Sequence, residues 1–267
     1  MCLVALAFHH HPNYPLVVVA NRDEFYDRPA SSARFWEDKP SVLAGRDLEA
    51  GGTWFGVNHY GHWATVTNYR GGGAGGKMRS RGNLPTDFLA QPDTSHTKPG
   101  LSPGAYAKTL LEEGHHFQGF SLLVGTLDEL VYCSNSSIDS TGGLQHLNPG
   151  VYTLSNDVLD TPWPKAEYAR QMLTAVLDQP GMLEVDSLLA VLGSQEQFPD
   201  HQLPDTGVGL EMERTLSPPF IVAESYGTRC TTVLMIDAKG RATFAEQSYH
   251  HGRATERKDY SFTLLDS

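Results

Sequence analysis

A cysteine stands second in this chain, in the run Met1-Cys2-Leu3-Val4-Ala5-Leu6-Ala7-Phe8. Removal of Met1, which a small second residue favours, leaves a thiol and a free α-amine on one residue. An α-amine titrates near ~8 and a thiol near ~8.5, so at neutral pH the amine can accept the thiol proton directly or through one water and release a nucleophile. The competing role for Cys2 is that of a small buried hydrophobe. Which role applies depends on what the rest of the chain brings to the start of this strand.

Four polar islands interrupt apolar runs, each at the end of an expected strand: Asn21-Arg22-Asp23-Glu24, Thr67-Asn68-Tyr69-Arg70, Ser155-Asn156-Asp157 and Gly227-Thr228-Arg229-Cys230. Alternation along a strand puts Asn21 and Asp23 on one face and Arg22 and Glu24 on the other. A tight opening hairpin brings that second strand's end beside Cys2. An asparagine side chain offers an uncharged N–H donor, which is what a developing oxyanion requires. An arginine at 229 can bind a carboxylate, a carbonyl oxygen or a supporting aspartate.

The elements that must position these groups are legible as apolar runs. Segments 2–8 and 15–20 read as a hairpin, and strand-like runs return over 52–57 and 63–68, the four suggesting one antiparallel sheet. Helical spacing covers 103–113 and 164–177, the latter with Ala169, Met172, Leu173, Val176 and Leu177 as an apolar stripe, and a short helix is expected near 186–192. Further strands are expected over 120–125, 130–134, 150–154, 220–222, 231–236 and 242–247. Strands, then helices, then strands imply an α+β layered domain. The glycine-rich stretch 71–77 lacks phosphate-loop spacing and reads as a mobile loop near the site. The irregular stretch 194–218 reads as a lid or surface insertion on one domain spanning 1–267.

Composition narrows the function classes. Lys+Arg 20 against Asp+Glu 31 gives a net charge of −11 without a basic stripe, which disfavours nucleic acid and anionic membranes as partners. The three cysteines, Cys2, Cys133 and Cys230, are odd in number and widely spaced, which fits a reducing compartment rather than a disulfide framework. The short apolar opening has no basic start and cannot span a bilayer, so the expected location is cytoplasmic, without stable membrane insertion. The twelve histidines show no metal-ligand spacing, and no metal is expected.

Taken together, Met1-Cys2-Leu3, Ala20-Asn21-Arg22-Asp23-Glu24, Gly51-Gly52-Thr53-Trp54-Phe55-Gly56, Thr67-Asn68-Tyr69-Arg70, Leu154-Ser155-Asn156 and Gly227-Thr228-Arg229-Cys230-Thr231-Thr232 resemble the NRDE family, also called the transport and Golgi organisation family. The resemblance runs from residue 2 to about residue 250. It implies an N-terminal-nucleophile hydrolase fold, the four-layer αββα sandwich of two antiparallel sheets flanked by helices, distantly similar to the bile salt hydrolase and penicillin V acylase group. Carried over by position, it implies Cys2 as nucleophile and base, Arg22 and Asp23 as groups orienting it, Asn68 and Asn156 as oxyanion donors, and Arg229 as support. Asn21, Trp54, Phe55 and Tyr69 are the expected substrate contacts.

Two activities are implied. One is hydrolysis of a small-molecule amide or acyl compound, with no cofactor required. The other is non-enzymatic trafficking of haem or another hydrophobic ligand on the same scaffold. The acylase group spaces its first arginine and aspartate as R-x-x-D, whereas here they are adjacent. That departure, with the aromatic and histidine supply at Phe25, Tyr26, His59, Tyr60, His62 and Trp63, motivates the carrier alternative.

Overall fold

The computed structural model describes residues 2–70, 78–91, 100–136 and 143–265; the glycine-rich stretch 71–77 lies outside them. The chain opens with a long hairpin, β1 (Cys2–His11) and β2 (Tyr14–Phe25), followed by four short strands, β3 (Ala30–Phe35), β4 (Val42–Asp47), β5 (Phe55–Asn58) and β6 (Trp63–Asn68). Helices α1 (Asn83–Leu89) and α2 (Pro103–Glu112) come next. Strands β7 (Phe120–Gly125), β8 (Leu130–Ser134), β9 (Leu144–His146) and β10 (Gly150–Leu154) precede helices α3 (Pro164–Leu177), α4 (Val185–Ala190) and α5 (Leu210–Leu216). The chain closes on β11 (Tyr226–Ile236), β12 (Arg241–His250) and β13 (Arg253–Thr263).

These strands form two antiparallel sheets, one ordered β10-β1-β2-β11-β12-β13 and the other β3-β4-β5-β6-β7-β8-β9. The opening hairpin is apolar at almost every position because both of its faces are covered. Val4, Leu6, Leu16 and Val18 meet Phe55, Val57 and Leu123 between the sheets, while Leu3, Ala5, Val17 and Val19 meet Ala169 and Leu173 of α3 and Leu188 of α4. On the far side of the second sheet, Ala64, Val66, Leu122 and Val124 meet Leu84 and Phe88 of α1 and Ala107 and Leu110 of α2. Helix, sheet, sheet, helix is the αββα sandwich.

Local rules explain the helix starts. Ser102 caps α2 by accepting the Ala105 N–H, and prolines open both α2 and α3, where a missing N–H costs nothing. β13 is a free edge rich in charge, Glu256, Arg257, Lys258 and Asp259 in succession, which discourages pairing with another chain.

Two expectations are corrected. The runs over 2–8, 15–20, 52–57 and 63–68 do not form one sheet: the first hairpin and the β5–β6 hairpin lie in different sheets and meet face to face. Alternation reports that a strand is buried, not whether its neighbour is beside it or above it. Residues 220–222 form no strand, although Val222 makes an isolated bridge to Gly227; Phe220 and Ile221 are buried, Phe220 edge-on to Tyr249, while Val222 is exposed.

The stretch 194–218 contributes no described residue to the lining of the cleft at Cys2. It packs behind the sheet through α5. Glu213 Oε2 accepts a hydrogen bond from Arg70 Nη1 at 2.7 Å, with both side chains nearly sealed from water, and the Leu216 carbonyl accepts from Lys165 Nζ at 3.1 Å. Removing one partner of a buried ion pair strands the other charge. Glu213→Ala should therefore lower unfolding free energy by about 3–5 kcal/mol and speed proteolysis within 194–218, measured by urea denaturation and timed digestion. A loss near zero would mean that α5 is not fastened by this pair.

Candidate active site

Strand pairing fixes where the first residues go. In the β1–β2 ladder Cys2 lies directly opposite Arg22, and in the β2–β11 ladder Arg22 lies opposite Cys230, which in turn faces Ser248 of β12. Directly paired residues project to the same side of a sheet, so this row points towards the second sheet. Cys2 is partly exposed there and lines a cleft of about 600 Å³. Arg22, Asp23, Trp54, Asn68 and Arg81 share that lining.

Arg22 is held on two sides. Its Nη2 donates to Asp47 Oδ2 at 3.2 Å, and its guanidinium lies 4.2 Å over the Trp54 ring. Arg28 Nε donates to the same carboxylate oxygen at 2.7 Å. Burial would raise the Asp47 pKa, but the Arg28 hydrogen bond and the Ala50 N–H hold it below the usual range, so the carboxylate stays ionised as the anchor. The Trp54 ring lies where a side chain at Gly45 would intrude, a Cβ there falling 2.4 Å from Trp54 Cζ2.

Asp23 lies on the other side of β2 and is almost wholly buried. Thr228 Oγ1 donates to Asp23 Oδ1 at 2.7 Å, and the Ile221 N–H donates to that same hydroxyl. Burial pushes the Asp23 pKa up, opposed by the positive chain terminus and by Lys165. Tyr226 clamps the same residue by donating to its backbone carbonyl at 2.9 Å. Burial also raises the Cys2 thiol pKa and Asp23 adds to that rise, while the terminal positive charge and Arg22 pull it down.

Asn68 ends β6 and reaches the cleft wall. Asn156 sits behind it: its Nδ2 donates to the Asn68 carbonyl at 3.0 Å, and its own carbonyl accepts the Arg70 N–H at 2.8 Å. Arg229 is turned aside. It is the extra residue of a bulge between Thr228 and Cys230, and bulges re-aim side chains. Its Nη1 donates to the carbonyls of Phe25 (2.6 Å) and Arg28 (3.1 Å), tying down the loop that follows β2, and it lines a neighbouring pocket of about 190 Å³ with Cys230 and Glu246.

The expected substrate contacts divide. Trp54 lines the cleft. Phe55 is core, packed on Trp63 and Phe244 between the sheets. Asn21 fastens the outer face, its Nδ2 donating to the Leu192 and Pro219 carbonyls and its Oδ1 accepting from Thr231. Tyr69 is half-buried outside the cleft lining, its N–H donating to the Gly119 carbonyl.

Residues missed from sequence include Asp47, Lys165 and Arg81, while Thr228 lay within a polar island but was given no role of its own. Lys165 is nearly fully buried, and burial lowers its pKa to about 8 against the pull of Asp23. A signal for it existed: it stands four residues before Ala169, on the helix's apolar stripe. Arg81 sits in irregular backbone and gave none. The histidines expected near the pocket lie elsewhere, His59 against Phe35 and Phe262 and His62 against Phe88. Among the described residues, no histidine lines the cleft and no group of His, Cys, Asp and Glu is arranged to hold a metal ion.

With this geometry in hand, comparison with known proteins is informative. Residues 1–251 match the family Transport and Golgi organisation 2. A human Transport and Golgi organization protein 2 homolog is 35% identical, covering 99% of each chain, and the Drosophila melanogaster Transport and Golgi organization protein 2 is 25% identical over 93% of this chain and 92% of its own. Among solved structures, a variant of the conjugated bile acid hydrolase of Clostridium perfringens superposes with a TM-score of 0.51 at 11% identity, covering all of this chain and 98% of that one, a likeness of fold. The chain belongs to the Transport and Golgi organisation 2 family.

Proposed function

We propose that the protein is an N-terminal-cysteine hydrolase acting on a small amide or acyl compound. One observation carries the reading: Cys2 opens into a cleft that also presents Asp23, Asn68 and the anchored Arg22. In this scheme, loss of Met1 frees the Cys2 amine. The amine takes the Sγ proton, the thiolate attacks the carbonyl carbon, and the carbonyl oxygen becomes an oxyanion. Asn68, fixed from behind by Asn156, supplies the donor. Collapse expels the leaving amine, which takes the proton back from the ammonium. Water then attacks the thioester, returning the acid and the free thiol.

In this scheme Arg22, paired with Cys2, and Asp23, on the opposite face of β2, orient the nucleophile as adjacent residues where the acylase group has an R-x-x-D spacing, a reading supported by the strand register and by the electrostatic influence of both on the thiol. The carrier alternative would draw on the same cleft. Its lining favours a polar ligand, with arginines and carboxylates around Cys2. The three free cysteines support a reducing, cytoplasmic setting, and no helix among the described residues is long and apolar enough to cross a membrane.

Intact mass should show Met1 absent from the active form. Cys2→Ala should abolish amide turnover, a loss on the order of 10⁴-fold or more, and Asn68→Ala should lower kcat by about 10²–10³-fold. Retained turnover in Cys2→Ala across amide and ester substrates would overturn the assignment.

The pH dependence of Cys2 offers a separate check. Asp23 raises the thiol pKa, so Asp23→Asn removes a negative charge and should shift the rate of Cys2 alkylation by iodoacetamide to lower pH, while turnover falls because the residue's hold on the site is lost. An alkylation profile that does not move would disprove the electrostatic link.

A further inference from the structure

Four arginines line the cleft, Arg22, Arg28, Arg79 and Arg81, and three of them meet carboxylates. Arg22 pairs with Asp47; Arg28 with Asp47 and Glu49; Arg79 with Asp87 and Glu113. Arg81 differs. Its Nη1 donates to the Gly119 carbonyl at 3.2 Å, and among the described residues no acidic side chain forms an ion pair with it. Partial burial lowers its pKa, with Cys2 and Glu24 acting in the opposite direction, and all three residues line the same cleft. Among the described residues no carboxylate pairs with it directly, Glu24 included, and a partly buried guanidinium favours an anion that does.

The backbone that carries it is firmly seated. The Gly82 carbonyl accepts from the Thr53 N–H at 3.1 Å and from Thr86 Oγ1 at 2.8 Å. Gly52 lets these segments touch, since a Cβ there would fall 2.5 Å from the Gly82 carbonyl group. Gly119, whose carbonyl receives Arg81, also accepts the N–H of Tyr69, the neighbour of Asn68. One carbonyl thus ties the arginine to the strand end that bears the oxyanion donor. Among the described residues that carbonyl is the guanidinium's one hydrogen-bond partner, and its planar fork carries further N–H groups that a ligand could take.

We propose that Arg81 receives a carboxylate, or an equivalent oxyanion, on the ligand whose carbonyl lies over Cys2. The placement of that carbonyl rests on the hydrolase reading; the anion site stands on its own geometry. The substrate class is therefore an acyl compound with an acidic group close to the bond that breaks, such as an N-acyl amino acid, in preference to a neutral N-acyl amine.

Alkylation of Cys2 tests this without requiring turnover. The probes are iodoacetate and iodoacetamide, which differ chiefly in one negative charge, with the modified residue identified by peptide mass. In the protein as purified, the iodoacetate-to-iodoacetamide rate ratio should be raised, and N-acetylglycine should protect Cys2 more than N-acetylglycinamide does. Arg81→Gln should lower the ratio about five- to tenfold, the scale of one partly screened charge contact, and abolish the selective protection, whereas Arg81→Lys should keep part of both. If Arg81→Gln does not fold, the protection experiment on the unaltered protein and the Lys variant still decide. Equal protection by the acid and the amide, or a ratio unchanged in both variants, would overturn the anion site. Absence of amide turnover in the unaltered protein, with the ratio and the selective protection intact, would instead count against the hydrolase reading.

Discussion

The register of β1 against β2 is the constraint on which the rest depends. Strand β1 lies inside its sheet, between β10 and β2, and is buried on both faces, so its first residues are held rather than frayed. Because Cys2 pairs with Arg22, a one-residue slip would send the thiol to the helix side of the sheet and every apolar side chain of the strand with it. The core therefore enforces the placement of the sulfur. The position of the Cys2 sulfur is coupled to stability through ordinary hydrophobic burial.

Behind that strand end, charge is arranged in a second layer. Asp23, Lys165, Arg70 and Glu213 are all nearly withdrawn from water and draw on four separate parts of the chain: the end of β2, the segment after β6, the first turn of α3, and α5. Such groups contribute little net stability as pairs, since desolvation offsets most of the attraction. Their value is in fixing geometry. The stretch 194–218 is fastened to this layer through α5 and the carbonyl of Leu216.

Much of this was legible in the sequence, for physical reasons that differ by element. The opening hairpin, α2, α3 and the strands β7, β8 and β10 announce themselves because burial selects apolar residues at a fixed period. The polar islands stood out because hydrogen-bonding side chains are unusual at the ends of such runs. What failed to show was anything set by contact between distant segments. Strands β3 and β4 carry arginine, serine and glycine and raised no expectation of a strand, since β3 is an edge and β4 gives up a side chain at Gly45 to admit Trp54. The aim of Arg229 depends on a bulge that no spacing reveals. Phe55 and Trp54 are adjacent, yet Phe55 begins β5 and fills the core while Trp54, in the bend before that strand, walls the cleft.

Trp54 and Arg22 stand between two hollows, since both residues line the cleft at Cys2 and also the smaller pocket beside Cys230. The indole and the guanidinium stacked 4.2 Å over it form a wall common to both spaces. Its position is set from behind by the missing side chain at Gly45. The space beside the sulfur is bounded on that side by an indole whose seat depends on a residue that lies in the lining of neither hollow.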